Sequence, residues 1–399
     1  MNTKRYISCT DELVGIMRGG GLIAVPTETV YGLAGNGLDE KAVAEIYEVK
    51  GRPEVKPLSL MVHDAALMER YCENVPPQAY TLAKRFWPGP LTIVMKAKPC
   101  VPEIVRAGGE TVGLRCPDHP LTLELLEKSG APFAAPSANP SGEPSPKNAD
   151  SVLKYFDGKI DAVLDGGECG IGCESTLIDL SRTPYRILRQ GALPADEIAD
   201  AFVDSMKIIG ITGGTGCGKT TALNELERRG ALLIDCDAVY HRMLETDRPM
   251  LDEIEKYFPG AVIDGKLDRK ALGAVVFTDE EALRDLNIIT HRHINLEIRR
   301  ILREHAMNGG TLAAIDAIEL FSSGLAKRCT ATIGVIADRE VRIDRIMRRD
   351  GISREYAMMR VNAQRPNEYF IQKCSHVLEN NGSQEEFIEK CRKTFEEVL

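Results

Sequence analysis

The residues with the clearest chemical meaning form one glycine-rich segment in the second half of the chain. It fits the pattern GxxxxGK[ST] and reads Gly213, Gly214, Thr215, Gly216, Cys217, Gly218, Lys219, Thr220. In such a loop the glycines let backbone N–H groups converge on phosphate oxygens, the lysine reaches the β- and γ-phosphates, and the final hydroxyl ligates Mg²⁺. We therefore expect a phosphate loop at residues 213–220. The alternative is a glycine-rich turn that binds no ligand.

Two carboxylates, Asp235 and Asp237, follow the next apolar segment. If that segment is a parallel strand, both lie at the carboxyl edge of a sheet, where such folds place their sites. Asp237 is the favoured candidate to accept the proton of a substrate hydroxyl or to orient it. The alternative is an aspartate that only caps a helix. Lys219 and Asp237 are thus the expected catalytic residues of this half.

Several guanidinium groups are predicted on a helical hairpin further along the chain. A solvated charged face is one explanation. Beside a phosphate loop, a mobile lid that closes over the transferred phosphate is the favoured one. The guanidinium groups belong to Arg345, Arg348, Arg349 and Arg360, and Gln364 follows them in the sequence.

The first half contains no such loop, but short motifs that combine cations, hydroxyls and glycine recur in it. Most stand at the ends of predicted strands, so together they could form one concave site for a polyphosphate, with oriented hydrogen-bond donors. Taken singly, each is more often a surface charge or a turn residue. The candidate cations are Lys50, Arg52, Lys56, Arg115 and Arg189, and the candidate donors are Ser137, Asn139 and Ser145.

Two different scaffolds are predicted to hold these motifs. Up to residue 204, short apolar runs with few helices between them indicate an α+β fold with a mixed sheet. From residue 206, apolar runs alternate with helical stretches, which is typical of parallel βαβ units in a doubly wound α/β fold. We therefore expect one domain at residues 1–204 and another, with the helical lid, at 206–399.

Composition narrows the class of protein. The 399 residues carry a net charge of −9, which argues against coating nucleic acid through phosphate neutralisation. Eleven cysteines are scattered without paired spacing, and no stretch approaches the roughly 20 apolar residues of a membrane helix. We expect a reduced, cytoplasmic protein without zinc, disulfides or a membrane span.

The second half resembles the dephospho-coenzyme A kinase family over residues 206–399. The segments that carry the resemblance are IGITGGTGCGKTT, LIDCDAVYHRML, DGKLDRKALGAVVF, THRHI and RIMRRDGISREYAMMRVNAQ. The resemblance implies that ATP, with Mg²⁺ and no prosthetic group, phosphorylates the ribose 3′-hydroxyl of dephospho-CoA. It places residues 213–220 on ATP, Asp237 at the acceptor hydroxyl, and Arg345, Arg349 and Arg360 in the lid.

Two departures from that family lie where the acceptor is expected. The family commonly has proline after the histidine that matches His291, and Arg292 stands there. Its usual proline-leucine-leucine-phenylalanine-glutamate run is replaced at residues 318–322. Another acceptor, such as a nucleoside or a nucleoside monophosphate, therefore stays open.

Residues 10–200 resemble the threonylcarbamoyl-AMP synthase family through a KxR pair, Lys50 and Arg52, and an SxN pair, Ser137 and Asn139. The resemblance implies a twisted mixed sheet. Such enzymes join L-threonine, bicarbonate and ATP, release pyrophosphate, and form threonylcarbamoyl-adenylate for N6-threonylcarbamoyladenosine in tRNA. The family pattern places Thr29, Arg115 and Ser175 near threonine, and Lys50, Arg52, Lys56, Thr111, Ser137, Asn139, Ser145 and Arg189 near ATP.

The sequence thus favours a bifunctional enzyme, in which Lys50 and Arg52 are the expected catalytic residues of the first half. tRNA-modification proteins are candidate partners, and stable nucleic-acid binding is not expected. The alternative is an N-terminal module that binds double-stranded RNA, fused to a kinase of nucleosides or nucleotides. The acidic balance and the lack of aromatic stacking platforms count against RNA binding.

Overall fold

The computed structural model describes residues 2–399, which form two compact units. The first unit holds the residues up to 204 together with 307–309, and the second holds residues 205–306 and 310–399. Among the described residues, no helix combines the length and the apolar character needed to cross a bilayer.

The first unit alternates short strands with short helices. Its strands are β1 (Lys4–Tyr6), β2 (Ile23–Val25), β3 (Gly32–Asn36), β4 (Ser59–Met61), β5 (Leu91–Lys96), β6 (Thr111–Arg115), β7 (Phe133–Ala134), β8 (Ala162–Leu164), β9 (Thr176–Asp179) and β10 (Arg186–Arg189). Its helices are α1 (Asp11–Arg18), α2 (Glu40–Lys50), α3 (Met68–Tyr71), α4 (Pro77–Phe86), α5 (Glu103–Arg106), α6 (Pro120–Ser129), α7 (Ala149–Phe156) and α8 (Ala195–Ser205).

These strands form one mixed sheet in the order β1-β8-β2-β3-β7-β4-β6-β5-β9-β10. The sheet contains both parallel pairs, such as β4 with β6, and antiparallel pairs, such as β5 with β6. Apolar side chains of α1, α6 and the neighbouring strands form a buried cluster that includes Leu13, Met17, Leu125 and Phe133. The prediction of an α+β mixed sheet is confirmed.

The second unit has longer helices. Its strands are β11 (Lys207–Thr212), β12 (Leu232–Asp235), β13 (Val262–Ile263), β14 (Lys266–Leu267), β15 (Leu312–Asp316), β16 (Ala331–Ile336) and β17 (His376–Glu379). Its helices are α9 (Lys219–Glu227), α10 (Cys236–Thr246), α11 (Arg248–Tyr257), α12 (Arg269–Val276), α13 (Glu280–Met307), α14 (Arg339–Asp350), α15 (Arg354–Asn362), α16 (Asn367–Lys373) and α17 (Gln384–Val398).

The central sheet of this unit runs β12-β15-β11-β16-β17, and each neighbouring pair is parallel. Buried strands of this kind read as continuous apolar runs, as β16 does with all six of its residues buried. Because β12, β15 and β11 are adjacent and parallel, their carboxyl ends lie next to one another at one edge of the sheet. The doubly wound α/β prediction is confirmed.

The C-terminal helix shows how the sequence fixes an element of this unit. Ser383 and Glu386 form the reciprocal capping box at its start. Phe387, Cys391 and Phe395 recur at helical spacing, and all three join the buried cluster beneath the sheet. The cap and the apolar stripe together position α17 against α9, the helix that follows the phosphate loop.

Candidate active sites

A cavity in the first unit lies where several strands end, and we call it the cation pocket. Its lining combines guanidinium, hydroxyl and carboxylate groups. The polar residues that line it are Thr29, Arg52, Ser59, Thr92, Arg115, Ser137, Glu174, Ser175 and Arg189.

Arg115, at the end of β6, is the most buried of the arginines that line this pocket. Its Nη2 donates to Glu28 Oε1 at 2.6 Å and to Thr29 Oγ1 at 2.9 Å, and its Nε donates to the carbonyl of Gly89 at 3.3 Å. The other carboxylate oxygen of Glu28 accepts from the backbone N–H of Asp118 at 2.9 Å. Arg115 is therefore oriented before any ligand arrives, which suits recognition of a carboxylate.

Arg189, the last residue of β10, contacts Ser175, which immediately precedes β9. The Arg189 guanidinium donates to the Ser175 carbonyl at 2.8 Å and to its hydroxyl at 3.2 Å, and it pairs with the Glu174 carboxylate. The Ser175 hydroxyl also lies 2.9 Å from Thr92 Oγ1. A cation and two hydroxyls thus converge on one wall of the pocket.

Lys50 is only 3% exposed and does not line the cavity. Its ammonium donates to the carbonyls of Ser137 and Asn139, so it braces the SxN segment. Burial, reinforced by the charge of Arg52, lowers the pKa of Lys50 to about 8. Arg52 lines the cavity itself, and burial lowers its pKa as well.

The remaining predicted residues of this half are spread around the pocket. Ser145 Oγ lies 3.4 Å from Glu174 Oε1, and the Asn139 amide is used on the carbonyls of Pro140 and Glu143. Lys56 is exposed, and Thr111 lies at the opposite end of β6 from Arg115. The structure therefore gathers Thr29, Arg52, Arg115, Ser137, Ser175 and Arg189 in the lining, and leaves Lys50, Lys56, Thr111, Asn139 and Ser145 outside it.

The phosphate loop in the second unit connects β11 to α9. Gly213, Gly216 and Gly218 have φ values of 145°, 83° and 99°, a backbone conformation that residues with side chains rarely adopt. Lys219 Nζ donates to the Gly213 carbonyl at 3.2 Å and lies 3.4 Å from Asp316 Oδ1, at the end of β15. The lysine is thus folded over its own loop and held on a carboxylate.

The two predicted aspartates have different roles in the structure. Asp235 caps α10, because its Oδ1 accepts from the backbone N–H groups of Asp237 at 2.9 Å and Ala238 at 3.0 Å. Asp237 instead lines a cavity whose wall combines the start of α10 with α13 and the segment after β15. The cap is therefore Asp235, and Asp237 lines the cavity.

That cavity is the candidate acceptor site. Its polar lining includes Asp237, Tyr240, Asn287, Thr290, His291, Glu319 and Ser323. Burial lowers the pKa of His291 and raises that of Tyr240, so both rings are favoured in their neutral forms. Ile318 and Glu319, which belong to the departing segment, also line this cavity, whereas Arg292 pairs with Glu253 and does not.

Helices α14 and α15 form the predicted hairpin. Arg349 and Arg360 both bind Asp350, at 2.7 Å and 2.6 Å. Arg345 points instead to the segment after β17, where it donates to the carbonyl of Asn380 at 3.0 Å and to its Oδ1 at 3.1 Å. Only two of the three predicted lid arginines therefore contact Asp350, the last residue of α14.

Comparison with known proteins divides the chain in the same place. The family model described as telomere recombination matches residues 15–191, and the model described as dephospho-CoA kinase matches residues 207–386. A threonylcarbamoyl-AMP synthase of Pyrococcus abyssi is 50% identical over 184 residues, which are 46% of this chain and 54% of the relative. A putative threonylcarbamoyl-AMP synthase of Methanocaldococcus jannaschii is 38% identical over 180 residues, 45% of this chain and 84% of the relative.

A dephospho-CoA kinase of Anaeromyxobacter dehalogenans is 40% identical over 182 residues, which are 45% of this chain and 86% of the relative. The chain belongs to both families. The chain spans only 54% and 61% of the lengths of the synthases of P. abyssi and Bacillus subtilis. We refer below to the synthase-family unit and the kinase-family unit.

Several residues at these sites were not singled out from the sequence, and four of them are charged partners of predicted residues or of the phosphate loop. In the synthase-family unit they are Glu28 and Glu174, the carboxylate partners of Arg115 and Arg189. In the kinase-family unit they are Asp316 and Arg342, the latter 4% exposed against the phosphate loop. Asp316 had a usable signal, because it ends an apolar parallel strand as Asp235 does. Arg342 had none, since its burial depends on tertiary packing.

Proposed function

We propose that this chain is a bifunctional enzyme. The first unit converts L-threonine, bicarbonate and ATP to threonylcarbamoyl-adenylate, pyrophosphate and water, and the adenylate supplies N6-threonylcarbamoyladenosine synthesis on tRNA. The second unit transfers the γ-phosphoryl group of ATP to the 3′-hydroxyl of dephospho-CoA. One observation supports the proposal above all: each unit matches one enzyme family and contains a cavity whose residues suit the reaction of that family.

The cation pocket is suited to a reaction that needs charge stabilisation and no protein nucleophile. A carbamate oxygen attacks the α-phosphorus of ATP, and pyrophosphate leaves with the bonding electrons. Arg115, already oriented by Glu28 and Thr29, would bind the carboxylate of threonine. Arg52 and Arg189 would hold the polyphosphate and stabilise the charge that develops on the leaving group.

The kinase-family site is suited to in-line phosphoryl transfer. The phosphate loop and Lys219 would hold the β- and γ-phosphates, and Lys219 would exchange its contact with Asp316 for the γ-phosphate. Asp237 would accept the proton of the acceptor hydroxyl, because this residue lines the cavity while Asp235 serves as the helix cap. Arg349 and Arg360 would close over the transferred group.

The donors around this loop fit Mg²⁺ that arrives with ATP. The Thr220 hydroxyl and the carboxylates of Asp235 and Asp316 supply the oxygen ligands that a hard cation prefers. Among the described residues, no cluster of three or more His, Cys, Asp or Glu could hold a metal unaided. Bound Mg²⁺ would neutralise charge on the β- and γ-phosphates, as kinases of this type require.

An assay of the full chain tests both halves of the proposal. We expect pyrophosphate release that requires both threonine and bicarbonate, with threonylcarbamoyl-adenylate identified by mass spectrometry. We also expect ADP formation that requires dephospho-CoA and yields coenzyme A. If ADP forms faster with nucleosides than with dephospho-CoA, the acceptor is a nucleoside and not dephospho-CoA. A salt-dependent gel shift on double-stranded RNA without pyrophosphate release would instead favour an RNA-binding first unit.

The proposed setting follows from the substrates. ATP, dephospho-CoA and tRNA meet in the cytoplasm, so we propose that the chain acts there. Proteins of tRNA modification that consume threonylcarbamoyl-adenylate are the partners we propose for the first unit. Co-purification of the tagged chain with such proteins, compared with a chain lacking residues 1–204, tests this partnership.

A further inference from the structure

The phosphate loop is held from its carbonyl side by side chains that lie far away in the sequence. Asn380 Nδ2, after β17, donates to the carbonyl of Cys217 at 2.8 Å. Arg342 Nε, on α14, donates to the carbonyl of Thr215 at 3.1 Å. Each contact joins residues more than 120 positions apart, so the loop is fixed by the tertiary fold as well as by its own glycines.

Both donors are themselves held by a second residue. Arg345 donates to Asn380 Oδ1 at 3.1 Å and to its carbonyl at 3.0 Å, which orients the amide so that its nitrogen faces Cys217. Gln364 Oε1 accepts from Arg342 Nη2 at 2.6 Å and from the Thr215 N–H at 2.8 Å. We call Arg342, Gln364, Arg345 and Asn380 the carbonyl clamp.

Fixing these carbonyls fixes the amides on the other side of the same peptide planes. In a trans peptide the C=O of one residue and the N–H of the next point in opposite directions. The clamp on Thr215 and Cys217 therefore turns the N–H groups of Gly216 and Gly218 away from α14 and Asn380. Those amides belong to the part of the loop that receives phosphate.

The glycines of the motif reflect the same packing. A Cβ on Gly214 would collide with the Arg342 guanidinium, and one on Gly218 would collide with Asn380 Nδ2. The loop can approach the clamp only because these side chains are absent. Asn380 and Arg342 are 6% and 4% exposed, so their hydrogen bonds are shielded from competing water.

We propose that the carbonyl clamp is a set of positioning residues that preorganise the phosphate loop for ATP, with Asn380 as its central member. The proposal rests on the kinase function proposed above, and it gives Arg345 a place behind the loop instead of in the lid. Preorganisation acts on binding, because amides that already face the phosphate need no ordering when ATP arrives. Asn380 is uncharged, so its effect cannot come from neutralising phosphate.

The experiment measures ATP affinity at the loop directly, by hydrogen–deuterium exchange of a peptide covering residues 213–220 titrated with Mg·ATP. This readout is separate from the cation pocket and needs no acceptor. We expect Asn380→Ala to lower the affinity of the loop for ATP roughly tenfold, because the variant loses one well-placed hydrogen bond. Asn380→Asp should do the same, because it keeps the acceptor for Arg345 and loses the donor to Cys217. Gln384→Ala, which removes an exposed amide at the start of α17, is the control and should change nothing.

Kinetics separate positioning from a general loss of structure. With dephospho-CoA, the clamp variants should raise the KM for ATP while leaving kcat within roughly threefold and the KM for the acceptor unchanged. An Asn380 variant whose loop binds ATP as tightly as wild type overturns the proposal. The proposal also fails if a clamp variant lowers only kcat, by the same factor as the fraction of the variant protein that is unfolded. If Asn380→Ala does not fold, Gln364→Ala carries the same test. Wild type that protects the loop with ATP but does not phosphorylate dephospho-CoA would refute the acceptor assignment and leave the clamp intact.

Discussion

The two candidate nucleotide sites of this chain present different groups to the phosphates of ATP: one presents backbone amides and the other presents charged side chains. The phosphate loop uses consecutive backbone amides at the head of α9, whereas the cation pocket uses side chains from strand ends between Thr29 and Arg189. A backbone site is fixed by glycine conformation, while a side-chain site needs every charge to be held in place. The comparison teaches that a site made of separate charges must carry its own counter-ions.

Those counter-ions are visible in both units. Arg115 is paired with Glu28, Arg189 with Glu174, and Lys219 with Asp316. Each pair keeps a cation oriented in the free protein, and a ligand phosphate or carboxylate would have to compete with the protein's own carboxylate. The sites should therefore respond separately to changes in their own charges, and the predictions below test that separation.

The largest expected effect comes from the lysine of the phosphate loop. Lys219→Ala should reduce ADP formation with dephospho-CoA by roughly 10³-fold or more, because it removes the charge that stabilises the transferred phosphoryl group. Threonine-dependent pyrophosphate release should be unchanged in the same preparation. Lys207→Ala, an exposed lysine at the start of β11, serves as the control. Equal loss of both activities would mean that the two sites are not independent.

A second prediction sharpens the comparison within the kinase-family unit. Asp237→Asn should lower kcat roughly 100-fold with little change in the KM for ATP, because it removes a proton acceptor and not a phosphate contact. Asp235→Ala should instead lower the free energy of unfolding by about 1 kcal/mol through the lost helix cap. Steady-state kinetics and thermal melts of both variants separate the roles, and the reverse pattern would exchange them.

A third prediction concerns pH and the synthase-family unit. Burial lowers the pKa of Lys50 to about 8, so its ammonium loses its proton just above that pH. If only the charged form supports ATP binding, the KM for ATP in threonylcarbamoyl-adenylate synthesis should rise roughly tenfold from pH 7 to pH 9. In Lys50→Arg the KM for ATP should stay nearly constant from pH 7 to pH 9. The kinase activity should not show this rise in the KM for ATP.

The sign of the stability effect guards against a trivial explanation. The folded pKa of Lys50 lies below its ordinary value of 10.5, so the unfolded chain binds more protons between these two pKa values. The contribution of this group to stability therefore rises with pH in that window. A loss of ATP binding there cannot be assigned to unfolding through Lys50, and an unchanged KM across the window would contradict the role proposed for its charge.

The smallest expected effect tests the counter-ion idea itself. Glu174→Gln should lower the KM for ATP of the synthase reaction by roughly threefold, because Arg189 would lose a partly exposed partner that competes with phosphate. Glu110→Gln, at an exposed carboxylate outside the pocket lining, is the control. A higher KM would show that Glu174 positions Arg189 instead of competing for it.

The sequence predicted local features better than assembled ones. The capping box at Ser383 and the parallel strands of the second unit were predictable, since both depend on short-range chemistry and periodicity. The segment FAAPSAN at residues 133–139 forms a strand of only two residues, β7, because Pro136 cannot donate a hydrogen bond to a neighbouring strand. The order of the mixed sheet was beyond such reasoning, because register between distant strands is set by tertiary packing.

The same division holds for the candidate sites. The phosphate loop was predictable because its chemistry is contiguous, while the cation pocket depended on resemblance because its members are up to 160 residues apart. The burial of Lys50 behind Ser137 and Asn139 could not be inferred, since lysine at a helix end is ordinarily solvated. The roles assigned to individual site residues stay predictions.

The most direct test of two independent nucleotide sites is the stoichiometry of ATP binding. Isothermal titration calorimetry of the full chain with a non-hydrolysable ATP analogue and Mg²⁺ should give two sites in wild type. Lys219→Ala should retain the site in the cation pocket, and Arg52→Ala should retain the site at the phosphate loop, each with its wild-type affinity. A single site in wild type, or the loss of both sites in either variant, would contradict the account.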